Sequence, residues 1–196
     1  MTFRELTRQE QTLLNRALDR WGVFEALKGQ AFLMHGKGKV CLLSPELEDI
    51  VLKVQPDMAG LAVGDLGKKK QFAPTLAGAS LFARAAGGRG NKYYVQVGEN
   101  AEKLVLYGRD VMGDSVVEAS AELGENELVI ILNARGEAIG IGRTRFFGRS
   151  LLQKGRVTIT TVKDAGSYLR DEDGGGAGEE EERAKMAAAA GQSKRA

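Results

Sequence analysis

Seven basic side chains lie between residues 143 and 170, and one acid, Asp164, accompanies them. They are Arg143, Arg145, Arg149, Lys154, Arg156, Lys163 and Arg170. Two adjacent aromatic residues, Phe146 and Phe147, lie inside this basic segment. Concentrated positive charge with interleaved aromatic rings is typical of a surface that binds nucleic acid. Runs of charged residues also occur on ordinary solvent-exposed surfaces that bind no ligand. The rest of the sequence is therefore needed to choose between these two interpretations.

Arginine suits a phosphate ligand because its planar guanidinium donates two hydrogen bonds to phosphate and can stack on a base. Arg143 and Arg145 point to the same side of an extended strand, because side chains alternate, and Thr144 then faces the other side. Phe146 or Phe147 is a candidate for stacking on an unpaired base. One of two adjacent aromatic residues more often belongs to the core.

Glycine and lysine residues extend the candidate site. Arg149, Lys154 and Arg156 flank the loop that carries Gly148 and Gly155. We expect these two glycines to let the backbone approach a ligand. A second basic run is a candidate for further phosphate contacts and consists of Lys68, Lys69 and Lys70. It does not complete a Walker phosphate loop, because Lys69 stands where that motif needs Ser or Thr and the glycine spacing differs.

The formal net charge of +2 conceals strong local differences. Residues 1–91 carry a net +4, residues 92–142 a net −5, residues 143–170 a net +6 and residues 171–196 a net −3. Such blocks influence the choice of partner more than the total charge does. The distribution therefore favours a polyanionic partner for the basic segment.

Several kinds of chemistry have no support in the sequence. The only cysteine, Cys41, lies in an apolar run, which favours a buried thiol and excludes an intramolecular disulfide or a multi-cysteine zinc site. The only histidine, His35, falls at a predicted turn, where we expect a surface position. No apolar run approaches the ~20 residues of a membrane helix, and the amino end lacks the apolar segment of a signal peptide. We expect a soluble intracellular protein without metal, cofactor or membrane contact.

Local patterns predict helices, strands and a domain boundary in the first half of the chain. Thr7 and Glu10 form a capping box before a helical apolar stripe that runs to Leu27, and Gly29 can close this helix. A hairpin is predicted at residues 31–43, a helix at 46–54 capped by Ser44, one or two strands at 60–72 and a helix at 75–86. The glycine-rich residues 87–91 interrupt all periodicity and indicate a domain boundary.

The sequence pattern of the second half predicts five or six short strands. Alternation predicts strands near residues 92–97, 115–121, 127–132, 137–142 and 157–162, with a short helix at 100–104 and a helical turn before residue 170. The pair at 127–142 is a hairpin with a four-residue loop, and small residues at 138–142 indicate a closely packed strand. These strands predict a small, largely antiparallel barrel. Residues 171–196 have almost no bulky apolar side chains, and we expect a disordered low-complexity tail.

Motifs spread over residues 4–170 resemble the Nip-seven family of large-ribosomal-subunit biogenesis factors, whose carboxyl half is a PUA domain, an RNA-binding module. In the second half the resemblance rests on LVLYGRDV at 104–111, LVIILNARGEAIGIG at 128–142 and VKDAGSYLR at 162–170. In the first half it rests on LTRQE at 6–10, SPEL at 44–47, GDLGK at 64–68 continuing to Phe72, and LFA at 81–83.

The resemblance implies a two-domain α/β (α+β) protein, with a mixed α/β domain at residues 1–91 and a β-barrel PUA domain at 92–170. It implies a monomeric, non-catalytic protein that binds precursor ribosomal RNA together with other assembly factors. Its implied location is the cytoplasm, or the nucleolus of a eukaryotic cell. The implied RNA-contacting residues follow the strand at 137–142, where the cations of the basic segment begin.

Three alternatives remain open at the level of sequence. The first is an RNA-modifying enzyme, or its accessory subunit, that docks RNA through the PUA domain. The second is a translation-associated PUA protein that contacts tRNA or the small ribosomal subunit. The third is an adaptor whose basic face meets an acidic protein.

Overall fold

The first half of the chain folds around a five-stranded antiparallel sheet. The computed structural model describes residues 2–67, 71–87 and 93–171. The strands follow one another in sequence order and are β1 (Phe3–Glu5), β2 (Ala31–His35), β3 (Lys39–Leu43), β4 (Leu61–Leu66) and β5 (Phe72–Pro74). The predicted hairpin is confirmed, with Leu33 opposite Cys41 in the β2–β3 register. Strand β1 had no clear signal in the sequence.

Three helices pack on this sheet, and they are α1 (Arg8–Arg20), α2 (Glu48–Val54) and α3 (Leu76–Ala85). The capping box of Thr7 and Glu10 is confirmed at the start of α1. The prediction that α1 continues to Leu27 is wrong, because Gly22 takes a φ of +69° and ends the helix. Trp21 and Leu27 still reach the core from the turns that follow.

Two further local predictions differ from the structure. Ser44 makes no side-chain cap, and a 3-10 turn at Pro45–Leu47 precedes α2. His35 is not a free turn residue, because β1 pairs with β2 and stacks Phe3 on the imidazole at 4.4 Å. The His35 Nε2 atom is buried without a hydrogen-bond partner.

Acidic pH should destabilise the start of α1, because the folded protein stabilises the ionised form of Glu10. The hydrogen bonds of the Arg4 guanidinium, at 2.8 Å to each oxygen, lower the pKa of Glu10 to about 2, and Thr7 adds to the effect. Because the pKa of Glu10 is lower in the folded state than in the unfolded state, its ionisation stabilises the fold. This stabilisation is complete above the unfolded pKa near 4.3 and is lost as the pH falls toward 2. We expect Glu10→Gln to lower the melting temperature at pH 6 and to have little effect at pH 2. The Glu46→Gln variant serves as the control, and an equal loss at both pH values would contradict the expectation.

The second half is a six-stranded sheet that curls into a half-barrel. Its strands are β6 (Tyr94–Val97), β7 (Val111–Met112), β8 (Val116–Glu118), β9 (Leu128–Leu132), β10 (Ala138–Thr144) and β11 (Val157–Asp164). Their order is β7-β11-β10-β9-β6-β8, and only β6 and β9 run parallel among these pairs. The two edge strands are joined by three residues, Gly113–Ser115, so the sheet has to bend back on itself. The predicted largely antiparallel barrel is confirmed in this half-closed form.

Two helices, α4 (Glu99–Leu106) and α5 (Ser167–Asp171), close the half-barrel. The β9–β10 hairpin is confirmed, and so is the close packing of the small residues on β10. A side chain at Gly142 would overlap Ile159, and one at Gly140 would lie 2.9 Å from the carbonyl oxygen of Lys163. Glycine thus lets β10 and β11 pack tightly immediately before the basic segment begins.

The two halves share a hydrophobic cluster. Trp21 and Phe82 of the first half pack in the same cluster as Tyr94, Ile130 and Ile141 of the second. The Tyr94 hydroxyl donates a hydrogen bond of 3.0 Å to the carbonyl oxygen of Trp21, and burial raises the pKa of Tyr94. This cluster covers part of the outer face of β9 and β10, next to the cations that follow on β10.

Three sequence predictions fall on residues outside the described ranges. They are the phosphate-contact role of Lys68, Lys69 and Lys70, most of the boundary at 87–91, and the tail beyond Asp171. In the parts that the structure covers, no helix is long and apolar enough to cross a membrane.

Candidate nucleic-acid interface

Arg143 and Arg145 lie on the outer face of the half-barrel. Between them Thr144 points inward and is buried, as the strand alternation predicts. Its hydroxyl donates to the carbonyl oxygen of Gly124 at 2.7 Å and accepts from the Glu127 amide at 2.9 Å. The loop before β9 therefore fixes Thr144, and this holds its two arginine neighbours outward.

The guanidinium of Arg143 is anchored at one end. Nη1 donates to the carbonyl oxygen of Asn126 at 2.8 Å and to its side-chain oxygen at 3.3 Å. Asn126 takes a φ of +63°, which asparagine tolerates better than most residues. Arg143 thus holds the loop before β9 while it remains half exposed to solvent.

Arg145 is exposed and partly balanced by an acid. Its Nε donates to the Thr160 hydroxyl at 2.7 Å, and its Nη2 lies 3.3 Å from the Asp110 carboxylate. The other oxygen of Asp110 accepts the Thr161 amide at 3.0 Å. Asp110 therefore positions Arg145 and also competes with any phosphate for it.

Removal of this competing charge should strengthen binding of RNA. Asparagine at position 110 keeps an oxygen for the Thr161 amide but loses the charge beside Arg145. We expect Asp110→Asn to raise the affinity for a single-stranded RNA about threefold, since exposed ion pairs contribute up to ~1 kcal/mol. Fluorescence anisotropy at low salt measures the effect. Asp57→Asn changes the net charge equally, at an exposed residue of the other half of the chain. An equal gain in both variants would mean that only the net charge matters.

The loop between β10 and β11 brings the middle cations to one end of the half-barrel. Arg149 and Lys154 are exposed, and within the described residues neither side chain has a hydrogen-bond or ion-pair partner. Arg156 donates to Gln153 at 3.1 Å, and its guanidinium lies 5.1 Å from the centre of the Phe146 ring. These three side chains are presented to solvent around the 3-10 turn at Gly148–Leu152.

The two adjacent aromatic residues have different environments. Phe146 is half-buried and packs against the barrel core, whereas the Phe147 side chain is 64% exposed. Phe147 is the one that can offer a free ring to a base. Gly148 has a role other than ligand approach, because a side chain there would overlap the carbonyl oxygen of Ala121. No atom lies within 4 Å of the position that a Cβ at Gly155 would occupy, and its role in ligand approach stays a prediction.

Lys163 and Arg170 lie away from this loop. Lys163 is exposed on β11 opposite Ile141, on the same outer face as Arg143. Arg170 reaches both oxygens of the buried Asp164, at 3.0 and 2.8 Å, and also donates to the carbonyl oxygen of Leu106. Its charge is thus matched by Asp164, and its structural role is to fasten α5 to the end of α4.

Sequence reasoning missed three exposed residues that lie on or next to β11 and α5. Tyr107 and Tyr168 lie at the facing ends of α4 and α5, which Arg170 brings together, and both rings are largely exposed. The carbonyl oxygen of Arg109 accepts the Thr161 hydroxyl at 2.8 Å, which places that arginine next to β11. The aromatic–glycine–arginine order at 107–109 was visible, but only the tertiary pairing shows that it adjoins the basic segment.

The arrangement suits binding of a polyanion. In the described parts of the chain, no group of three or more His, Cys, Asp or Glu residues could hold a metal ion. Burial raises the pKa of the Cys41 thiol, which makes it a poor nucleophile at neutral pH. What the outer face offers is guanidinium and ammonium groups beside one exposed phenylalanine.

Comparison with known proteins agrees with this architecture. A family model described as the UPF0113 PUA domain matches residues 93–173, and one described as the NIP7/UPF0113 pre-PUA domain matches residues 3–76. The molecule is therefore a two-domain α+β protein with a pre-PUA domain and a carboxyl-terminal PUA domain, which is an RNA-binding type of domain. A UPF0113 protein of Archaeoglobus fulgidus is 33% identical over 176 residues, 88% of this chain and 97% of the relative. The chain belongs to the NIP7/UPF0113 family.

Two solved structures share the fold. A hypothetical protein of Pyrococcus horikoshii has a TM-score of 0.62 at 16% identity, covering 83% of this chain and 94% of its own. A conserved PUA domain protein of Thermoplasma acidophilum has a TM-score of 0.61 at 13% identity, covering 86% of this chain and 97% of its own. At these identities the likeness concerns the fold alone.

Proposed function

We propose that this protein is a non-catalytic ribosome biogenesis factor that binds large-subunit precursor ribosomal RNA through the outer face of its PUA domain. The observation that carries the proposal is the placement of Arg143, Arg145, Arg149 and Lys154 at one end of the β10–β11 hairpin. Family membership supports an RNA ligand. The proposal includes action with other assembly factors, in the cytoplasm or the nucleolus.

The ligand we favour is an unpaired stretch of RNA. Phe147 offers an exposed ring, and stacking of a base on such a ring contributes about 1–3 kcal/mol. Guanidinium groups on an open face contact successive phosphates without a need for duplex geometry.

Two measurements test the proposal. If four or five cations neutralise phosphates, the logarithm of the affinity for a mixed-sequence 12-nucleotide RNA should fall with log salt at a slope of about −3 to −4, since each phosphate contributes ~0.7. In cells, the protein should co-purify with large-subunit precursors in a nuclease-sensitive manner.

Other outcomes would lead to a different function. Recovery with tRNA or the small subunit would favour a translation-associated role. A change in RNA mass after incubation with the protein and common methyl donors would favour an RNA-modifying enzyme. An affinity for RNA that does not change with salt concentration would show that the protein makes no phosphate contacts, and the proposal would then be rejected.

A further inference from the structure

Helix α2 presents an apolar stripe to solvent on the pre-PUA domain. Leu47, Ile50 and Val54 recur at helical spacing, and Met58 follows after the helix. Ile50, Val54 and Met58 are each more than half exposed, and Leu47 nearly half. Three large apolar side chains exposed at helical spacing, with a fourth shortly after the helix, are characteristic of an interaction site.

The stripe is held rigidly. Next to the stripe, on the side of α2 that faces the sheet, Val51 is buried in one cluster with Leu33 and Leu43. At the end of the helix, the Gln55 side chain accepts from the Phe3 amide at 2.7 Å and donates to the Phe3 carbonyl oxygen at 2.9 Å. The exposed stripe therefore lies on a fixed element, so this surface loses little conformational entropy when a partner binds.

Uncompensated acids surround the stripe. They are Glu46, Glu48, Asp49 and Asp57, and Lys53 is the only cation from residue 45 to residue 61. Within the described residues, none of these four carboxylates has a hydrogen-bond or ion-pair partner. The surface formed by these acids and the apolar stripe, called here the α2 face, thus carries a net charge of −3.

We propose that the α2 face docks a basic amphipathic helix of a partner protein. Such a helix would lay its apolar residues on the stripe and its lysine or arginine residues against the four carboxylates. RNA is disfavoured because its phosphates would meet the acids, and anionic lipid is disfavoured for the same reason. A second copy would set one net charge of −3 against another.

The α2 face is separate from the proposed RNA site. The α2 side of the first sheet packs around Leu33 and Leu43, whereas the other side forms the cluster that it shares with the PUA domain. A partner on α2 therefore leaves the β10–β11 outer face open. The inference goes beyond the proposed function and does not depend on it.

Peptide selection tests the chemistry of the partner. A display library of random 16-residue peptides is selected on the full chain and counter-selected on the Ile50→Ser, Val54→Ser variant. We expect enriched peptides to carry net positive charge and apolar residues at helical spacing. Enrichment of acidic or aperiodic peptides, or no enrichment over the variant, would overturn the proposal.

Direct binding of one enriched peptide gives the second readout. We expect the Ile50→Ser, Val54→Ser variant to bind it at least tenfold more weakly by fluorescence anisotropy, and Glu46→Lys, Asp49→Lys likewise. The matched control is Leu104→Ser, Val117→Ser, which removes two exposed apolar residues from the PUA domain and should bind normally. Equal loss in the control would overturn the assignment. Two further outcomes would overturn it. The first is a wild-type dimer, seen by light scattering, that is absent in the Ile50→Ser, Val54→Ser variant. The second is binding of the wild type to anionic phospholipid vesicles that the same variant loses.

Discussion

Arg143→Glu combined with Arg145→Glu is expected to weaken the binding of a single-stranded RNA at least about tenfold, which corresponds to ~1.4 kcal/mol or more. The change removes two cations from the outer face of β10 and places two anions in the path of the phosphates. The slope of log affinity against log salt should become shallower by about 1.4, because two phosphate contacts are lost. Fluorescence anisotropy across a salt series measures both quantities.

Controls separate this local effect from net charge and from folding. Lys37→Glu combined with Arg135→Glu makes the same change of charge at two exposed turn residues outside the basic segment, and its affinity should fall much less. Arg143 and Arg145 also hold Asn126 and Asp110, so circular dichroism has to show a folded double variant. Arg149→Glu with Lys154→Glu provides a second test that disturbs no internal contact in the described structure. Normal binding by both folded double variants would reject the proposed face.

Gly78→Ala should destabilise the protein by about 1–2 kcal/mol, although alanine is the better helix former. A Cβ atom at this position in α3 would overlap the carbonyl oxygen of Val63 on β4. That oxygen also accepts the Thr75 amide at 3.0 Å, at the start of the same helix. Relief of the overlap requires α3 to move off the sheet, and overpacking of this kind typically costs about 1–3 kcal/mol. The gain of ~1 kcal/mol in helix propensity does not offset the loss of packing in α3.

Urea denaturation measures the difference, with Gly67→Ala as the matched control. Gly67 has no atom within 4 Å of the position that its Cβ would occupy. The control variant should therefore keep its stability to within about 0.5 kcal/mol, as surface substitutions usually do. A Gly78→Ala variant as stable as the wild type would show that α3 tolerates a wider separation from β4.

Local chemistry explains which parts of the fold could be predicted from sequence. The capping box before α1 and the two hairpins depend on residues within a few positions of one another, so their patterns are complete in the sequence. The helix over α3 was predicted in spite of Gly78, and the structure shows that this glycine serves the packing against Val63. The early end of α1 was missed because the apolar stripe continues past Gly22 although the helix does not.

Contacts between distant residues account for what could not be predicted. The partial burial of His35 requires Phe3, which lies directly opposite it in the β1–β2 pairing, and that pairing has no local signal in the sequence. The partner of Arg145 is Asp110, 35 residues away, and depends on how β11 meets β7. Arg170 also donates to the carbonyl oxygen of Leu106, 64 residues away, and that contact depends on how α5 meets α4. The sequence located the basic segment, but it could not tell the free cations from those that the fold already uses.

The shared cluster around Trp21 and Tyr94 has a consequence for how the two domains relate as physical units. Separation of the PUA domain near residue 93 would turn Ile130 and Ile141 from interior into water-facing residues, and the pre-PUA domain would lose the matching cover of Trp21. Each domain thus buries apolar residues of the other domain away from solvent. A destabilising substitution on either side would therefore lower the melting temperature of the whole chain.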